Sequence, residues 1–426
     1  MQASQPPAEF VRGGGVSFQA LMWWLAAFAA TMAVLVLRQP DAVLNPQFRA
    51  EDGYWFQQAY NDGAVSSLSS TYTGYFQTLS RLAAVMALSV PLARAPLVLT
   101  LTALLVEASP ALFLLSPRMR NAGSLPLRGV LAALYLAVPK ASEVHASITN
   151  APFNLALLAF LVIIAEAPVS RAGRVFDVFV LVLMGLTGPF CILLCPVALL
   201  VALVRRTAWP AVRLAIVGGG VTVQGLALLL TGHQRTHQTL GASFSRFCRI
   251  IAGQVVLPVL QGRNRLDQVA NSSGSVTALA CLITALTAVL FVYALWRGNL
   301  ELRSFILFAL LLLAAALAFP TPNATSDHWG PMLTPGGAAR YWYIPGLALT
   351  VTLLWLLGAT RPAVLRAVAA VLVCCMLFGA TRHWRYASLP DLQFSRYAHQ
   401  FEQLPPGSSM EIPINPPGWS MTLVKK

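Results

Sequence analysis

A chain of 426 residues with 57% hydrophobic and only 10% charged side chains cannot clothe a water-facing surface, because soluble domains carry about 25% charged residues. Its 29 basic against 15 acidic residues, a net charge of +14 and a mean hydropathy of +0.66 describe an integral membrane protein with a basic bias. Long unbroken apolar runs exclude a transmembrane β-barrel, whose strands alternate in short segments.

The first apolar run, 18–37, ends in "LRQP" and lacks a small-residue cleavage site. It reads as a retained helix with its N-terminus in the cytoplasm, and not as a signal peptide. Further runs predict helices at 95–116, 124–139, 151–167, 174–187, 190–204, 210–231, 276–296, 303–319, 343–359 and 363–381. Several are short for an apolar core about 30 Å thick and need extension, bilayer thinning or a kink at proline. The stretch 78–93 is shorter still and is flanked by Arg81 and Arg94. It is expected to lie on the membrane as an interfacial helix, with a twelfth span as the alternative.

The breaks "SPRMRNAGSLPLR", "SRAGR", "VRRTAWPAVR", "RGNLELR" and "TRPAVLR" all carry Arg, so the positive-inside rule sends them to the cytoplasm. Eleven spans satisfy that rule and twelve do not. The expected fold is therefore an all-α polytopic membrane protein of about 11 transmembrane helices. A transmembrane domain covers 1–381, with interfacial helices in its outward connections 38–94, 140–150, 232–275 and 320–342, and an outward tail covers 382–426.

Cys191, Cys195, Cys281, Cys374 and Cys375 lie in apolar runs, where a thiol behaves as a small hydrophobe. Cys248 alone is expected to be exposed, so no disulfide is expected. Cys191 and Cys195 have no His or third Cys nearby and are not read as a metal pair. The chain has no GxGxxG fingerprint, no P-loop and no cytoplasmic domain, so neither a nucleotide-sugar donor nor a nucleic acid is an expected partner. No internal repeat is evident, which weighs against a secondary transporter.

The polar chemistry gathers in the predicted outward connections. "FRAEDGYWFQQAYNDG", residues 48–63, sets Glu51 and Asp52 side by side next to the bilayer. A solvated loop with an aromatic belt accounts for Trp55, Phe56 and Tyr60 but leaves the acidic pair unexplained. A carboxylate near lipid is costly and marks a functional site, and a general base must be positioned and partly desolvated. Gly53 would let the backbone approach a bulky substrate.

"VPKASEVHASITN", 138–150, offers Lys140, Glu143, His145 and Asn150. Loop solvation, with Thr149 or Asn150 capping the next helix, competes with substrate contacts by Glu143 or His145 and with an anion beside Lys140. In "GGAARYWYIPG", 336–346, Arg340 stands at the outer interface. Snorkelling competes there with a bidentate grip on phosphate, and Tyr341 and Tyr343 are candidates to stack on sugar or prenyl chain. Residues 243–260 predict an amphipathic interfacial helix with Arg246 and Arg249 on one face, for lipid phosphate or the membrane surface. His233 and His237 have the spacing of helical metal ligands but lack the Glu of a zincin. "TGPFC", 187–191, breaks a helix, and the tail with "IPINPPGWSM" is expected to form short strands over the outer face.

An acidic pair in the first outward loop of a chain with about eleven spans resembles the GT-C superfamily of glycosyltransferases. The pattern "EDG…Y…GYF…RLA" from Glu51, with "SEVHASITNAPFNLAL", "TGPFCILLCP", "ARYWYIP" and "IPINPPGWSM", also resembles a group of bacterial membrane proteins placed near that superfamily. These blocks spread over nearly the whole chain. The resemblance implies a GT-C-like fold in the inner membrane of a bacterium, with the active site facing outward. It implies a polyprenyl-phosphate-linked sugar donor, a glycan, lipid or protein acceptor, and inversion at the sugar.

It makes Asp52 the catalytic base, with Glu51 as its neighbour, and raises Glu143 as a second acidic position. Tyr75 and Arg81, in the same pattern, join His145, Arg340, Tyr341, Arg246, Arg249 and Lys140 as substrate-binding expectations. No cofactor is required. Some GT-C members bind a divalent ion, so Mg or Mn held by Asp52, Glu143 and His145 is a further expectation. The alternative is a transporter or flippase, or a non-catalytic part of polysaccharide assembly. A transporter needs a charge buried at mid-span, and Glu107 in "TALLVEASP" is the candidate.

Overall fold

The computed structural model describes residues 17–139, 141–231, 239–262, 274–320, 327–334, 336–358 and 361–426, with only the backbone of 274 and 275. A helix stands on every predicted apolar stretch: Phe18–Arg38, Ala95–Leu115, Leu125–Ala137, Ala151–Ile164, Arg171–Gly185, Phe190–Arg205, Ala208–Leu230, Gly274–Arg297, Leu300–Ala318, Ala339–Leu356 and Ala363–Arg382. Among the described residues, six helices are long and apolar enough to cross a membrane, namely Phe18–Arg38, Leu92–Leu115, Ala208–Leu230, Val276–Arg297, Leu300–Ala318 and Ala363–Arg382. Their outward faces stay apolar: Leu282, Leu286, Val289 and Val292 on one of them are all exposed. Such a stripe suits lipid, not water.

The helix Ala151–Ile164 has every residue buried. At about 21 Å it falls short of an apolar core about 30 Å thick, so its last carbonyls end where water does not reach. Arginines come to them instead. Arg205 donates to the carbonyls of Ile164 (2.5 Å) and Ala165 (2.8 Å), Arg213 to Ala165 (2.8 Å), and the Asn121 amide to Ile164 (2.7 Å). Arg118 and Arg213 meet on Asp177 at 2.7 and 2.9 Å, and Arg205 pairs with Glu301 at 3.0 Å. The breaks that carry Arg118, Arg205 with Arg213, and Glu301 thus meet at one end of the bundle and lock it.

The opposite end is tied by Arg38, the buried last residue of the first helix. It donates to the carbonyls of Leu136 (2.6 Å), Val138 (2.8 Å) and Trp384 (3.2 Å), and its guanidinium lies 4.2 Å from the Tyr386 ring. The ends of three helices predicted to reach the outer face therefore meet.

Two expected interfacial helices differ from the sequence reading in how far they are buried. Thr78–Ala87 spans ten residues, about 15 Å. It turns Leu79, Arg81, Ala83, Ala84 and Ala87 into the protein and leaves Leu82 and Met86 exposed. The 243–260 stretch does not lie flat on a surface. It forms Phe244–Ile250, a π-helical turn Ile251–Val256 and Leu257–Gln261, and every residue of the turn is buried. Its apolar side chains run all round the helix, so burial wins over amphipathic docking. Cys248 is buried with it, against the expectation of exposure, whereas Cys374 and Cys375 are exposed on an outward helix face.

The tail folds as expected into strands, Ser409–Ile414 antiparallel to Trp419–Val424, preceded by the helix Phe394–Glu402. "TGPFC" also breaks the chain, between Gly185 and Phe190.

Candidate active site

The acidic pair opens a helix, Glu51–Asp62, whose start is gripped by the tail. The Asn415 carbonyl accepts from the Ala50 N–H (2.5 Å), and the Asn415 N–H donates to the Phe48 carbonyl (3.0 Å). Ala50 sits at φ +48°, a conformation disfavoured for a residue with a Cβ and maintained here by these two bonds. Gly53 faces the tail: a Cβ there would meet the Ile414 side chain. Its missing side chain admits the hairpin, which corrects the reading that it admits a substrate.

The amides of the opening stretch serve the same contact. Gln57 accepts from the Thr422 N–H (2.8 Å), while Asn61, one turn on, donates to the Thr422 carbonyl (2.9 Å) and accepts from the Val424 N–H (3.1 Å). Phe56 packs 5.0 Å from Phe48, and Tyr60 5.9 Å from Phe401. These aromatics build a core with the tail and are not a belt at the interface.

Asp52 is buried within this frame. Its Oδ1 accepts two hydrogen bonds from one residue, the Thr149 hydroxyl at 2.6 Å and the Thr149 N–H at 3.1 Å. The Thr149 hydroxyl in turn accepts from the indole N–H of Trp55 at 2.9 Å. Oδ2 makes no hydrogen bond to the described residues. Burial pushes the carboxyl up to about 6, against the lowering effect of Thr149 and of the Arg49 guanidinium. A carboxylate poised near neutrality with one oxygen pinned and the other open has the attributes of a general base.

Glu51, the adjacent residue, is half-buried and points elsewhere. Its carboxylate acts on Tyr72, whose hydroxyl is pushed up to about 12 by burial first and by Glu51 second, while Arg340 opposes. Tyr75 is raised by burial, again with Glu51 and Arg340 acting in opposite directions. The two tyrosines flank a tight turn in which Thr73 and Gly74 both take positive φ, closed by the 2.9 Å bond from the Tyr72 N–H to the Tyr75 carbonyl. The Tyr54 ring packs tilted against that of Tyr72, 5.1 Å away, and the Arg340 guanidinium lies 5.0 Å from the Tyr341 ring. Glu51, Tyr54, Tyr72, Tyr75, Arg340 and Tyr341 thus share one neighbourhood beside Asp52.

The other expected site residues stand as follows. Glu143 accepts from the Arg340 N–H (2.9 Å) and from its guanidinium. It thereby caps the Ala339–Leu356 helix from a distance, because Ala338 at the cap has no side-chain acceptor. His145 is buried. Its Nδ1 lies 2.9 Å from Glu107 Oε1 and its ring 5.0 Å from that of Tyr386. Arg81 is also fully buried, gripping the Gln58 side chain (2.5 Å) and the Ser67 carbonyl (2.6 Å) with its guanidinium 5.0 Å from the Trp55 ring. It braces the wall behind the site.

Arg246 pairs with Asp327 at 2.9 Å, and Arg249 lies one turn further on the same helix, both half-buried. Lys140, His233 and His237 lie outside the described residues. Among the described residues, no three His, Cys, Asp or Glu side chains converge as metal ligands would. Asp52, Glu143 and His145 are each engaged separately, by Thr149, Arg340 and Glu107, and do not converge on one point.

Thr149 is the residue sequence reasoning misplaced. As a helix cap it was one of two candidates, but neither caps the Ala151–Ile164 helix. Asn150 donates instead to the Glu143 carbonyl at 2.9 Å. Pro152 near the helix start has no N–H to satisfy, which lowers the demand for a cap.

The chain is similar to an oligosaccharyltransferase of known structure. That protein is the Archaeoglobus fulgidus enzyme in its apo form, matched at 12% identity over 92% of this chain and 59% of that one, with a TM-score of 0.47. The chain spans about three fifths of that enzyme's length. No family model matches the sequence, and no curated protein does.

Proposed function

We propose that this multi-pass membrane protein is a glycosyltransferase of GT-C type, moving a sugar from a polyprenyl-phosphate donor to a hydroxyl-bearing acceptor. The observation that carries the reading is Asp52: buried, held by Thr149 on one oxygen only, and pushed up to about 6. Its Oδ2 takes the acceptor's hydroxyl proton. The acceptor oxygen then bonds to the anomeric carbon as the bond from that carbon to phosphate oxygen breaks, inverting the configuration. The departing polyprenyl phosphate gains negative charge, and a fixed cation opposite it lowers that cost. Arg340, which acts on the same two tyrosines as Glu51, is the cation we assign to it. Tyr54, Tyr72, Tyr75 and Tyr341 are the aromatic groups we assign to the sugar.

In this reading the eleven helices span the bilayer, the bacterial inner membrane. The Asp52 end faces outward and the Arg118–Arg205–Arg213 end faces the cytoplasm. The decisive experiment incubates purified protein with labelled polyprenyl-phosphate sugars and looks for transfer. No transfer from any donor across a broad panel would overturn the reading.

One observation favours a second reading. Glu107 and His145 form a pair buried inside the bundle, as a proton- or ion-coupled flippase of an anionic lipid requires. Movement of labelled lipid across proteoliposomes, lost on Glu107→Gln, would support it.

A further inference from the structure

We propose that Thr149, backed by Trp55, is the positioning residue of this site: it saturates one oxygen of Asp52 and leaves Oδ2 as the oxygen that receives the proton. The inference rests on the glycosyltransferase reading for the destination of that proton, but the positioning itself rests on geometry.

A threonine hydroxyl has one hydrogen to give. The indole N–H of Trp55, 2.9 Å away, can only donate, so it occupies a lone pair of Oγ1 and turns the hydroxyl hydrogen towards Asp52 at 2.6 Å. The Thr149 N–H falls on the same oxygen at 3.1 Å. Two donors from one residue on one oxygen fix the carboxylate rotamer and make the two oxygens unequal. Oδ1 is stabilised as an anion, and Oδ2 keeps its lone pairs for a substrate. The arrangement costs Thr149 the capping role that its place before a helix would otherwise give it.

The connection 138–150 that carries Thr149 is itself held at several points. The Ser142 carbonyl accepts from Arg49 (3.0 Å), Glu143 meets Arg340, His145 meets Glu107, and the Ile148 carbonyl accepts from Ser80 (3.0 Å). Trp55 is fully buried. A donor held this firmly presents the hydroxyl in one place, as preorganised catalysis requires.

Among the described residues, the charged groups near Asp52 are engaged as follows. Arg49 and Glu51 act on it from its own segment, in opposite directions. Glu143 and His145 on the Thr149 segment are paired with Arg340 and Glu107. Arg81 on Thr78–Ala87 is bonded to Gln58 and Ser67, and Glu411 on the tail to Ser420. Loss of the Thr149 hydroxyl therefore acts on Asp52 directly.

The test titrates Asp52 by infrared spectroscopy in the full-length protein, with the carboxyl band assigned by its disappearance in Asp52→Asn. In Thr149→Val the Asp52 midpoint should move up by about one pH unit or more, because the carboxylate has lost a charge-assisted donor. Thr149→Ser should restore it. The acid limb of the transfer rate should move with the midpoint, whereas a merely structural role would lower the rate and leave the midpoint in place. If Thr149→Val does not fold, Thr149→Cys, a weaker donor, should give a smaller shift of the same sign. An unmoved midpoint in a folded variant overturns the proposal. A moved midpoint in a protein whose wild type transfers no sugar upholds the positioning and overturns the glycosyltransferase reading alone.

Discussion

Glu143 and Arg340, 197 positions apart, are joined twice: the carboxylate takes the backbone N–H of Arg340 at 2.9 Å and its guanidinium as well. The group we assign to the departing phosphate therefore already has an anion on it. A donor phosphate must displace or share that partner. Glu143→Gln keeps an acceptor for the N–H and removes the competing charge, so the donor concentration for half-maximal transfer should fall severalfold. Arg340→Lys should raise it about tenfold or more, ~1.4 kcal/mol, since an ammonium cannot reproduce a two-pronged contact. Donor titrations of the two variants check both directions. Wild-type behaviour in Arg340→Lys would reduce Arg340 to a structural partner of Glu143.

Asp52→Asn should abolish transfer and, above neutral pH, stabilise the fold. Folding raises this carboxyl from 3.8 to about 6, so the native state resists losing the proton. The sign follows: stability is fully present below pH 3.8 and is lost as pH rises through 6, by about 3 kcal/mol. Thermal unfolding of the wild type should fall relative to Asp52→Asn between pH 4 and pH 8. Parallel curves would place Asp52 in contact with water.

Gly53→Ala should loosen the tail without touching a charge. The new Cβ meets Ile414, and overpacking of this kind costs about 1–3 kcal/mol. Limited proteolysis should then cut in 403–426 sooner than in the wild type. Adding Ile414→Ala should recover part of the loss, because the two sites share one contact.

Glu107→Gln separates the two functional readings. The change leaves His145 with a neutral partner and should lower stability by about 1–3 kcal/mol. A glycosyltransferase should keep transfer per folded molecule within a few-fold of the wild type. A flippase should lose lipid movement altogether.

Sidedness is checked with single cysteines at exposed positions in a background free of native Cys. An impermeant maleimide should label position 62 from outside intact cells and leave 171 and 297 unlabelled until the membrane is opened. External labelling at 171 would invert the topology and move the Asp52 end to the cytoplasm.

What the sequence determined by itself was the set of helices and the suspicion about Asp52. Both follow from one local quantity, the cost of putting a side chain in hydrocarbon. That cost selects apolar runs of helical length wherever the chain crosses, and makes an acidic pair beside such a run conspicuous. Tertiary structure alone decided what each polar side chain is for. Thr149 could cap a helix or serve Asp52, and the choice turns on a residue 97 positions away. Arg340 could snorkel or pair, and the answer is Glu143. Gly53 could admit a substrate or the tail, and it admits Ile414. Arg81, Arg205 and Arg213 carry charges that local hydropathy assigns to water or headgroups, yet they satisfy carbonyls inside the bundle. A hydrogen bond is worth making only where its partner is buried beside it, and burial beside a partner is a property of the packed chain. Hydropathy locates the helices because it is additive along the sequence; a pair contact is not.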